Sequence, residues 1–343
     1  MAVWRGLKIG FTIIGTTIGA GFASGREMWE FFTSYGRDSQ YSLSLAMVLF
    51  FVTVTIVLWM SAKPGISNYY GILRKLMGKR LASIFDILTM LYLLSMSIVM
   101  FAGSGATFSE WNFSYAFGVF FIALMVFLVL LFDVDGLMSI QSFIIPILTG
   151  VLLFVYIKFL TGDYEGAQTI LGNGYVSWPS GITYAALNVV PLIAVVSTLG
   201  KELRSKKEIW VSSIVSTGGL ALIAILMNSS LLKAGHEIGL YEIPLFALLK
   251  GYPTAMIVVV SVILWFAIYT TALSGVYGIV SRISSWFKSP NWLISLVLIL
   301  IMIPLSNFGF STLVAVLYPI YGVLNLFVLA LIILYPISYK TER

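Results

Sequence analysis

The chain has 343 residues, of which 59% are hydrophobic and only 10% charged, and its mean hydropathy is +1.00. Soluble domains carry about 25% charged residues, so this chain could not cover a water-facing surface. It has no cysteine and one histidine, which excludes disulfides, thiolate metal sites and histidine clusters. The net charge is +6, but the basic residues are spread over several short loops and form no nucleic-acid-binding patch.

Ten stretches contain, or come close to, the roughly 20 apolar residues that a helix needs to cross a bilayer. They are 4–33, 41–61, 82–107, 115–132, 138–160, 181–199, 209–233, 253–281, 290–306 and 311–337. The sequence therefore predicts an all-α polytopic protein with about ten transmembrane helices and the lipid bilayer as its surroundings. With the N-terminus inside, most of the 20 basic residues fall on the inner side, which predicts that both termini are cytoplasmic.

Two loops contain segments with a pattern of their own. Residues 68–80 (NYYGILRKLMGKR) have the pattern of a short basic amphipathic helix on the inner membrane surface. Residues 241–249 (YEIPLFALL) are apolar enough to pack over the outer end of the helix bundle as a lid.

The first and sixth predicted helices carry interruptions at matching places of a five-plus-five division. Helix 1 contains Gly15, Gly19, Gly21 and Gly25, and each glycine costs about 1 kcal/mol relative to alanine in a helix. In helix 6, Pro191 removes a backbone donor and clashes with the preceding turn. Transporters commonly bind substrate between broken helices at corresponding positions of inverted repeats, which predicts a site here. Helix packing through glycine is the alternative interpretation.

The two ends of the break in helix 1 suggest two kinds of binding site. The outer half of helix 1, beginning near Gly21, would point its N-terminus at the cavity and hold a carboxylate. The inner half would end with free carbonyl groups that can hold a cation. Five oxygen ligands for sodium would come from the carbonyls of Gly15, Ile18 and Ala267 and the hydroxyls of Thr270 and Thr271. Alternatively, the two hydroxyls only bond a carbonyl one turn back in their own helix.

Residues 14–32 (IGTTIGAGFASGREMWEFF) resemble the opening helix of the YkvI-like membrane proteins of bacteria, which are classed as amino-acid permeases. The pattern Tyr184-x-x-x-Asn188 and the hydropathy of the whole chain are similar too. This family belongs to the amino acid–polyamine–organocation (APC) superfamily. The resemblance implies the LeuT-type fold of the sodium-coupled leucine transporter, a five-plus-five inverted repeat with broken helices 1 and 6, in the bacterial inner (cytoplasmic) membrane.

The resemblance carries over at single positions. In sodium-coupled members of the superfamily, the matching positions line the shared sodium site; here they are Gly15, Gly19, Gly21, Ala267, Thr270 and Thr271. Thr16 stands where the leucine transporters have an asparagine that serves a second sodium, so the resemblance does not extend to that ion. The arginine of the outer gate is one residue out of register, at Arg26.

Further candidates surround the break. We predict substrate contacts at Thr16, Thr17, Gly19, Ala20, Gly21, Ser97, Met100, Tyr184 and Asn188, for several of which simple packing is the alternative. Ionisable residues inside membrane segments are functional candidates by default. Arg26, Glu27 and Glu30, in the outer half of helix 1, are therefore candidates for an outer gate, with a local ion pair as the alternative.

We expect a secondary transporter with one membrane domain, residues 1–160 forming the first repeat and 161–343 the second. Its expected activity is sodium-coupled symport of an amino acid or a similar small zwitterion by alternating access. Proton coupling is one alternative, and a ligand receptor that keeps the transporter fold without net flux is another. No cofactor is expected apart from the coupling ion. An enzyme is not expected, because no nucleophile with a base and no metal cluster can be assembled.

Overall fold

Helices make up nearly all of the computed structural model of this protein, which describes residues 2–63, 69–131, 137–162, 176–284 and 289–341. The helices before residue 163 are α1 (Ala2–Thr17), α2 (Ala20–Ala23), α3 (Arg26–Phe31), α4 (Ser39–Ser61), α5 (Tyr69–Ser109), α6 (Tyr115–Leu131) and α7 (Leu137–Thr161). Those that follow are α8 (Trp178–Leu187), α9 (Val189–Leu199), α10 (Lys206–Ala234), α11 (Pro244–Leu248), α12 (Thr254–Ile283), α13 (Asn291–Ser306) and α14 (Phe310–Thr341). No strand occurs within these ranges.

Length and composition identify the helices that can cross a membrane. Within the described ranges, six helical segments qualify, namely Thr33–Ser61, Tyr69–Ser109, Ile144–Thr161, Lys206–Ala234, Thr254–Ile283 and Phe310–Ile337. The pair α8 and α9 qualifies as a seventh if it is one bent crossing. The protein is therefore an all-helical, multi-pass membrane protein, as its composition predicts.

The number of ten crossings stays a prediction. Every predicted apolar stretch coincides with a helix or a broken helix. However, α6 and α13 have only 17 and 16 residues. At 1.5 Å per residue they span roughly 25 Å, somewhat less than the hydrocarbon core of about 30 Å. The first stretch is divided into three short pieces, so it does not meet the length criterion either.

Glycines allow the long helices to pack closely. A Cβ atom on Gly6 of α1 would lie 2.8 Å from the Cβ of Val211 in α10, and one on Gly10 would lie 2.9 Å from that of Val215. In the same way, Gly275 of α12 lies against the Ser97 hydroxyl of α5. These contacts bring α1 against α10 and α5 against α12, which surrounds the broken helices with closely packed neighbours.

The two loop segments singled out from the sequence are helical. In the described part of residues 68–80, the basic segment forms the start of α5 and is set off from the rest by Gly78, whose φ is +76°. The segment 241–249 contains α11, and every residue from Ile243 to Leu249 is buried. The prediction that this segment packs over the bundle is confirmed, while its action as a lid stays a prediction.

Candidate functional site

The first helix is broken at Ile18 and Gly19, between α1 and α2. The Gly19 N–H donates to the Thr17 carbonyl at 2.9 Å, whereas a continuous helix would have used the Gly15 carbonyl. Among the described residues, no backbone N–H reaches the carbonyl of Gly15 or Ile18. The break thus leaves two carbonyl acceptors beside it, which is the arrangement expected from the sequence.

A second break follows at Gly25, whose φ of +81° lies in the left-handed region. It limits α2 to four residues. The Ser24 hydroxyl donates to the Gly21 carbonyl at 2.7 Å and accepts the Arg26 N–H at 3.2 Å, which closes the turn. The outer half of helix 1 is therefore two short pieces rather than the single half-helix expected from the sequence. Its N-terminal dipole is correspondingly weaker, because the dipole grows with the number of aligned peptides.

The glycines of the break do not serve helix packing. A Cβ atom on Gly19 would meet nothing within 4 Å, and one on Gly15 would meet only the Ile145 side chain, at 3.5 Å. On Gly21 it would collide with the carboxyl of Glu27 and lie 3.0 Å from the Tyr318 hydroxyl. Gly21 therefore makes room for a side-chain carboxyl inside the protein.

Helix 6 is broken at Asn188, where α8 and α9 meet at an angle of 41°. Pro191 lies in the first turn of α9, so the Leu187 carbonyl lacks the N–H that would continue the helix. The Asn188 side-chain amide donates to the Tyr184 carbonyl at 3.0 Å, which adds a donor for the carbonyl at the end of α8. The interruption predicted from Pro191 thus lies about one turn before the proline.

A buried carboxyl connects the two broken helices. Glu27 of α3 is only 6% exposed, and the Tyr184 hydroxyl of α8 lies beside its carboxyl as a hydrogen-bond partner. Tyr92 of α5 and Tyr318 of α14 are close enough to interact with it electrostatically. We call these four residues the Glu27 cluster. It brings helices from both predicted halves to a single acidic group.

The three predicted gate residues divide into two groups. Arg26 and Glu30 form an ion pair, and an Arg26 guanidinium N–H also donates to the Tyr241 carbonyl at 3.3 Å, in the segment that covers the bundle. The ion pair that the sequence offered as an alternative is therefore present. Glu27 lies apart from it, because neighbouring residues of a helix point about 100° apart and Glu27 faces Gly21.

Of the predicted sodium ligands, Gly15 and Ile18 lie at the break of helix 1, and Ala267, Thr270 and Thr271 lie on α12. The Thr270 and Thr271 hydroxyls donate to the Ala267 carbonyl at 3.2 and 2.8 Å. This is the one-turn-back bonding that the sequence offered as an alternative, and it leaves the oxygen lone pairs of both hydroxyls available. Because α2 packs against α12, the break and these hydroxyls belong to neighbouring elements.

The remaining predicted substrate contacts lie in different surroundings. The Thr16 and Thr17 hydroxyls donate to the Ile13 carbonyl at 3.0 and 2.9 Å, and Thr16 is exposed. Ser97 and Met100 are fully buried, and the Ser97 hydroxyl donates to the Leu93 carbonyl where α5 packs on α12. In the part of the chain that the structure describes, no hydrogen bond or ion pair joins Thr16, Ser97 or Met100 to the Glu27 cluster.

A narrow cleft lies beside the cluster, toward the end of the bundle where α5 begins. It has a volume of about 240 Å³ and lies between α5, α9 and α14, lined by Phe85, Leu88, Thr89, Tyr92, Val190, Tyr321, Leu324 and Asn325. Tyr92 belongs both to the cleft wall and to the Glu27 cluster, and its ring contacts that of Tyr321 edge-on at 5.3 Å between centroids. Tyr92 therefore lies between the cleft and the buried carboxyl.

Sequence reasoning did not identify Tyr92 and Tyr318. The chain has 18 tyrosines, and nothing in the local sequence separates these two from the others. In the described part of the chain, no group of three or more His, Cys, Asp or Glu side chains could hold a metal ion. The cluster thus offers one carboxyl and several hydroxyls, a set suited to an organic solute or a proton.

Solved structures of transporters share this fold. The match to the manganese transporter of Eremococcus coleocola has a TM-score of 0.63 and 16% sequence identity. It covers 97% of this chain and 78% of the transporter chain. The match to the inward-facing conformation of Mhp1 has a TM-score of 0.61 and 11% sequence identity, and it covers 96% of this chain and 75% of the Mhp1 chain. At these identities the likeness shows the fold alone.

Two proteins of Bacillus subtilis (strain 168) are similar in sequence. YyaD is 37% identical over 98% of this chain and 99% of its own length. The membrane protein YkvI is 24% identical over 93% of this chain and 92% of its own length. No protein-family model matches the chain. The resemblance seen in residues 14–32 is confirmed, and the chain belongs to the family of bacterial membrane proteins that includes YyaD and YkvI.

Proposed function

We propose that this protein is a secondary active transporter that moves an amino acid or a similar small zwitterion by alternating access. The observation that carries the proposal is the meeting of two broken helices at the buried Glu27 cluster. Broken helices place unpaired backbone groups at the depth where a solute must be bound, and such backbone is tolerated in a membrane only where it lines a cavity or is buried in protein. The fold shared with transporters supports the same conclusion.

The architecture that fits this function has ten crossings in two inverted repeats. The first repeat, 1–160, contains the broken segment α1–α3 followed by α4, α5, α6 and α7. The second, 161–343, contains the bent pair α8–α9 followed by α10, α12, α13 and α14. Each repeat then begins with its broken helix. An even number of crossings, with most of the basic residues on one side, places both termini in the cytoplasm of a bacterial cell.

The substrate would lie beside both breaks. Of the predicted contacts, Gly19, Ala20 and Gly21 form the start of α2, while Tyr184 and Asn188 flank the break of helix 6. The wall between them is aromatic, because Phe31 and Phe32 pack their rings on Tyr184 with centroids 5.3 and 5.0 Å away. Such a wall favours a small solute with apolar surface and one or two charged groups.

Sodium is the proposed coupling ion. The unpaired carbonyls of Gly15 and Ile18 and the lone pairs of Thr270 and Thr271, with the Ala267 carbonyl, supply oxygen ligands of the kind that a hard cation prefers. An ion held by both α1 and α12 would tie the two elements together and so favour one state of the transport cycle.

The test of function is net accumulation. Purified protein in liposomes should accumulate a radiolabelled amino acid when a sodium gradient is imposed, and choline replacing sodium at equal ionic strength should abolish this uptake. A ligand receptor without flux would bind the solute and show no accumulation. Uptake driven by a proton gradient in the absence of sodium would favour the proton-coupled alternative and contradict the sodium site.

Thr271→Ala tests the ion site against a matched control. Thr55 of α4 donates to the Phe51 carbonyl at 2.8 Å, the same geometry as Thr271, so Thr55→Ala removes an equivalent hydroxyl elsewhere. We expect Thr271→Ala to weaken sodium-dependent ligand binding more than tenfold, a change of about 1.4 kcal/mol. Thr271→Ser and Thr55→Ala should be nearly silent. Equal effects of the two alanine variants would show that the Thr271 hydroxyl serves helix structure only.

A further inference from the structure

Glu27 is an acid buried without a basic partner. It is 6% exposed, and among the described residues no Lys or Arg side chain forms an ion pair with it. The adjacent Arg26 is engaged by Glu30 and by the Tyr241 carbonyl. A buried carboxylate without a counter-charge costs several kcal/mol, so such a group either takes up a proton or receives a cation from outside the chain.

The groups that face the carboxyl are hydroxyls on three separate helices. The Tyr184 hydroxyl of α8 is a hydrogen-bond partner of the carboxyl, while Tyr92 of α5 and Tyr318 of α14 are close enough to interact with it electrostatically. The Tyr318 hydroxyl donates to the Met96 sulfur at 3.1 Å. Tyrosine hydroxyls and ring faces stabilise a positive charge as well as a neutral carboxylic acid.

A narrow cleft lies beside the cluster at one end of the bundle. The cleft of about 240 Å³ ends at Tyr92, which is half-buried and belongs to the Glu27 cluster. At the opposite end, the segment 241–249 covers the break, with the Leu245 N–H donating to the Ser24 carbonyl at 3.0 Å. In this state the cleft is too narrow to admit a solute, so solute entry from this side requires the helices around it to move apart.

We propose that Glu27 binds the positively charged amino group of the transported solute, and that it holds a proton in its place when the site is empty. When the ammonium group arrives, the O–H bond of the carboxylic acid breaks, the proton passes to water that enters with the solute, and the carboxylate pairs with the ammonium group. One proton is released for each solute bound. This inference rests on the proposed function and names the charged group by which the solute is recognised.

The structure makes a positive group the better partner here. The four residues of α2 provide little helix dipole for an anion, and the Glu27 carboxyl already lies against Gly21, where a substrate carboxylate was expected. Once Glu27 has lost its proton, a substrate carboxylate at that place would be repelled, whereas an ammonium group would pair with it. The hydroxyl oxygens of Tyr184 and Tyr318 can also accept hydrogen bonds from an ammonium group.

The first experiment examines the empty protein by infrared spectroscopy at neutral pH. The carbonyl stretch of a protonated carboxylic acid should be present in the wild type, absent in Glu27→Gln and retained in Glu30→Gln, which removes the nearby acid of the ion pair. Absence of a Glu27 band in the wild type would overturn the proposal. Because this measurement needs no flux, it is independent of whether the protein proves to be a transporter.

The second experiment uses valine, isobutylamine and isovalerate, which carry both charges, the amine alone and the carboxylate alone. Valine and isobutylamine should remove the Glu27 band and stabilise the wild type against heat, with an affinity that rises about tenfold per pH unit while Glu27 is protonated. Glu27→Gln should lose this pH dependence. Retention of the band with all three compounds, or stabilisation by isovalerate alone, would overturn the proposal, as would loss of the band with sodium chloride alone.

Discussion

Gly21 and Glu27 provide a sharp test of the site, because one added methyl group should disturb the buried carboxyl. In Gly21→Ala the new Cβ atom would collide with the Glu27 carboxyl and lie 3.0 Å from the Tyr318 hydroxyl. The carboxyl must then shift, which would weaken or break its hydrogen bond with Tyr184. Gly19→Ala is the matched control, since its Cβ atom meets nothing within 4 Å and its φ of −81° is open to any residue.

The magnitude follows from the contact that is lost. Leaving a buried polar group without its partner costs about 1–3 kcal/mol. Both variants share the gain of about 0.4–1 kcal/mol that alanine brings by restricting the unfolded chain, so this gain largely cancels between them. We therefore expect Gly21→Ala to be less stable than Gly19→Ala by about 1–3 kcal/mol. If the lost contact energy also contributes to ligand binding, ligand affinity should drop about five- to 150-fold.

The assay compares the wild type and the two variants in detergent, first by chemical unfolding without ligand and then by binding of the amino acid that stabilises the wild type most. Equal stability of the two variants would refute the placement of Glu27 against Gly21. A large loss of binding in Gly19→Ala with unchanged stability would instead show that the substrate approaches the backbone at Gly19, as the sequence suggested.

Two further predictions concern topology and packing. Because the chain has no cysteine, cysteines introduced one at a time can be labelled selectively. Leu240→Cys, at a residue that is 86% exposed, should react with an impermeant reagent in intact cells, and Lys207→Cys should react only after lysis. The reverse order would contradict the proposed orientation. In Gly118→Ala the Cβ atom would lie 2.7 Å from the Ser104 carbonyl oxygen, so α5 and α6 must separate and the free energy of unfolding should fall by about 1–3 kcal/mol. Gly150→Ala, which meets nothing within 4 Å, should cost nothing, and similar losses in both variants would contradict the packing of α6.

The fold was predictable because the bilayer imposes simple rules on sequence. Apolar stretches had to be helical, since a membrane leaves backbone groups no other partner. The breaks were predictable for the same reason, because Gly19, Gly25 and Pro191 interrupt helices by local chemistry alone. Where the prediction was imprecise, tertiary detail decided the outcome. Gly25 takes a left-handed φ and divides the outer half of helix 1 into two pieces, which its spacing from Gly21 does not indicate.

The content of the site was harder to predict, since it depends on side-chain direction. Arg26 and Glu27 are neighbours in sequence, so they were grouped as gate residues, yet the turn at Gly25 directs them to different surroundings. Tyr92 and Tyr318 reach the site only through the packing of α14 on α8 and of α5 on α9 and α14. No local pattern carries that information. The sequence indicated where the chain would be broken, and the packing decided which polar groups meet there.

If the protein works by alternating access, as proposed, the hydrogen bonds that hold segment 241–249 over the break contribute to the energy of that transition. Segment 241–249 is held by four hydrogen bonds: the Leu245 N–H to the Ser24 carbonyl, Arg26 to the Tyr241 carbonyl, and Glu242 accepting the N–H groups of Phe310 and Ser311 at the start of α14. At about 0.5–1.5 kcal/mol each, they contribute roughly 2–6 kcal/mol to the covered state. A solute with a dissociation constant of about 1 mM supplies about 4 kcal/mol. Only the part of this energy that differs between the two states can shift their balance. Because opening would also expose the buried side chains from Ile243 to Leu249, a solute bound this weakly can open the cover only if those side chains stay packed against another part of the protein.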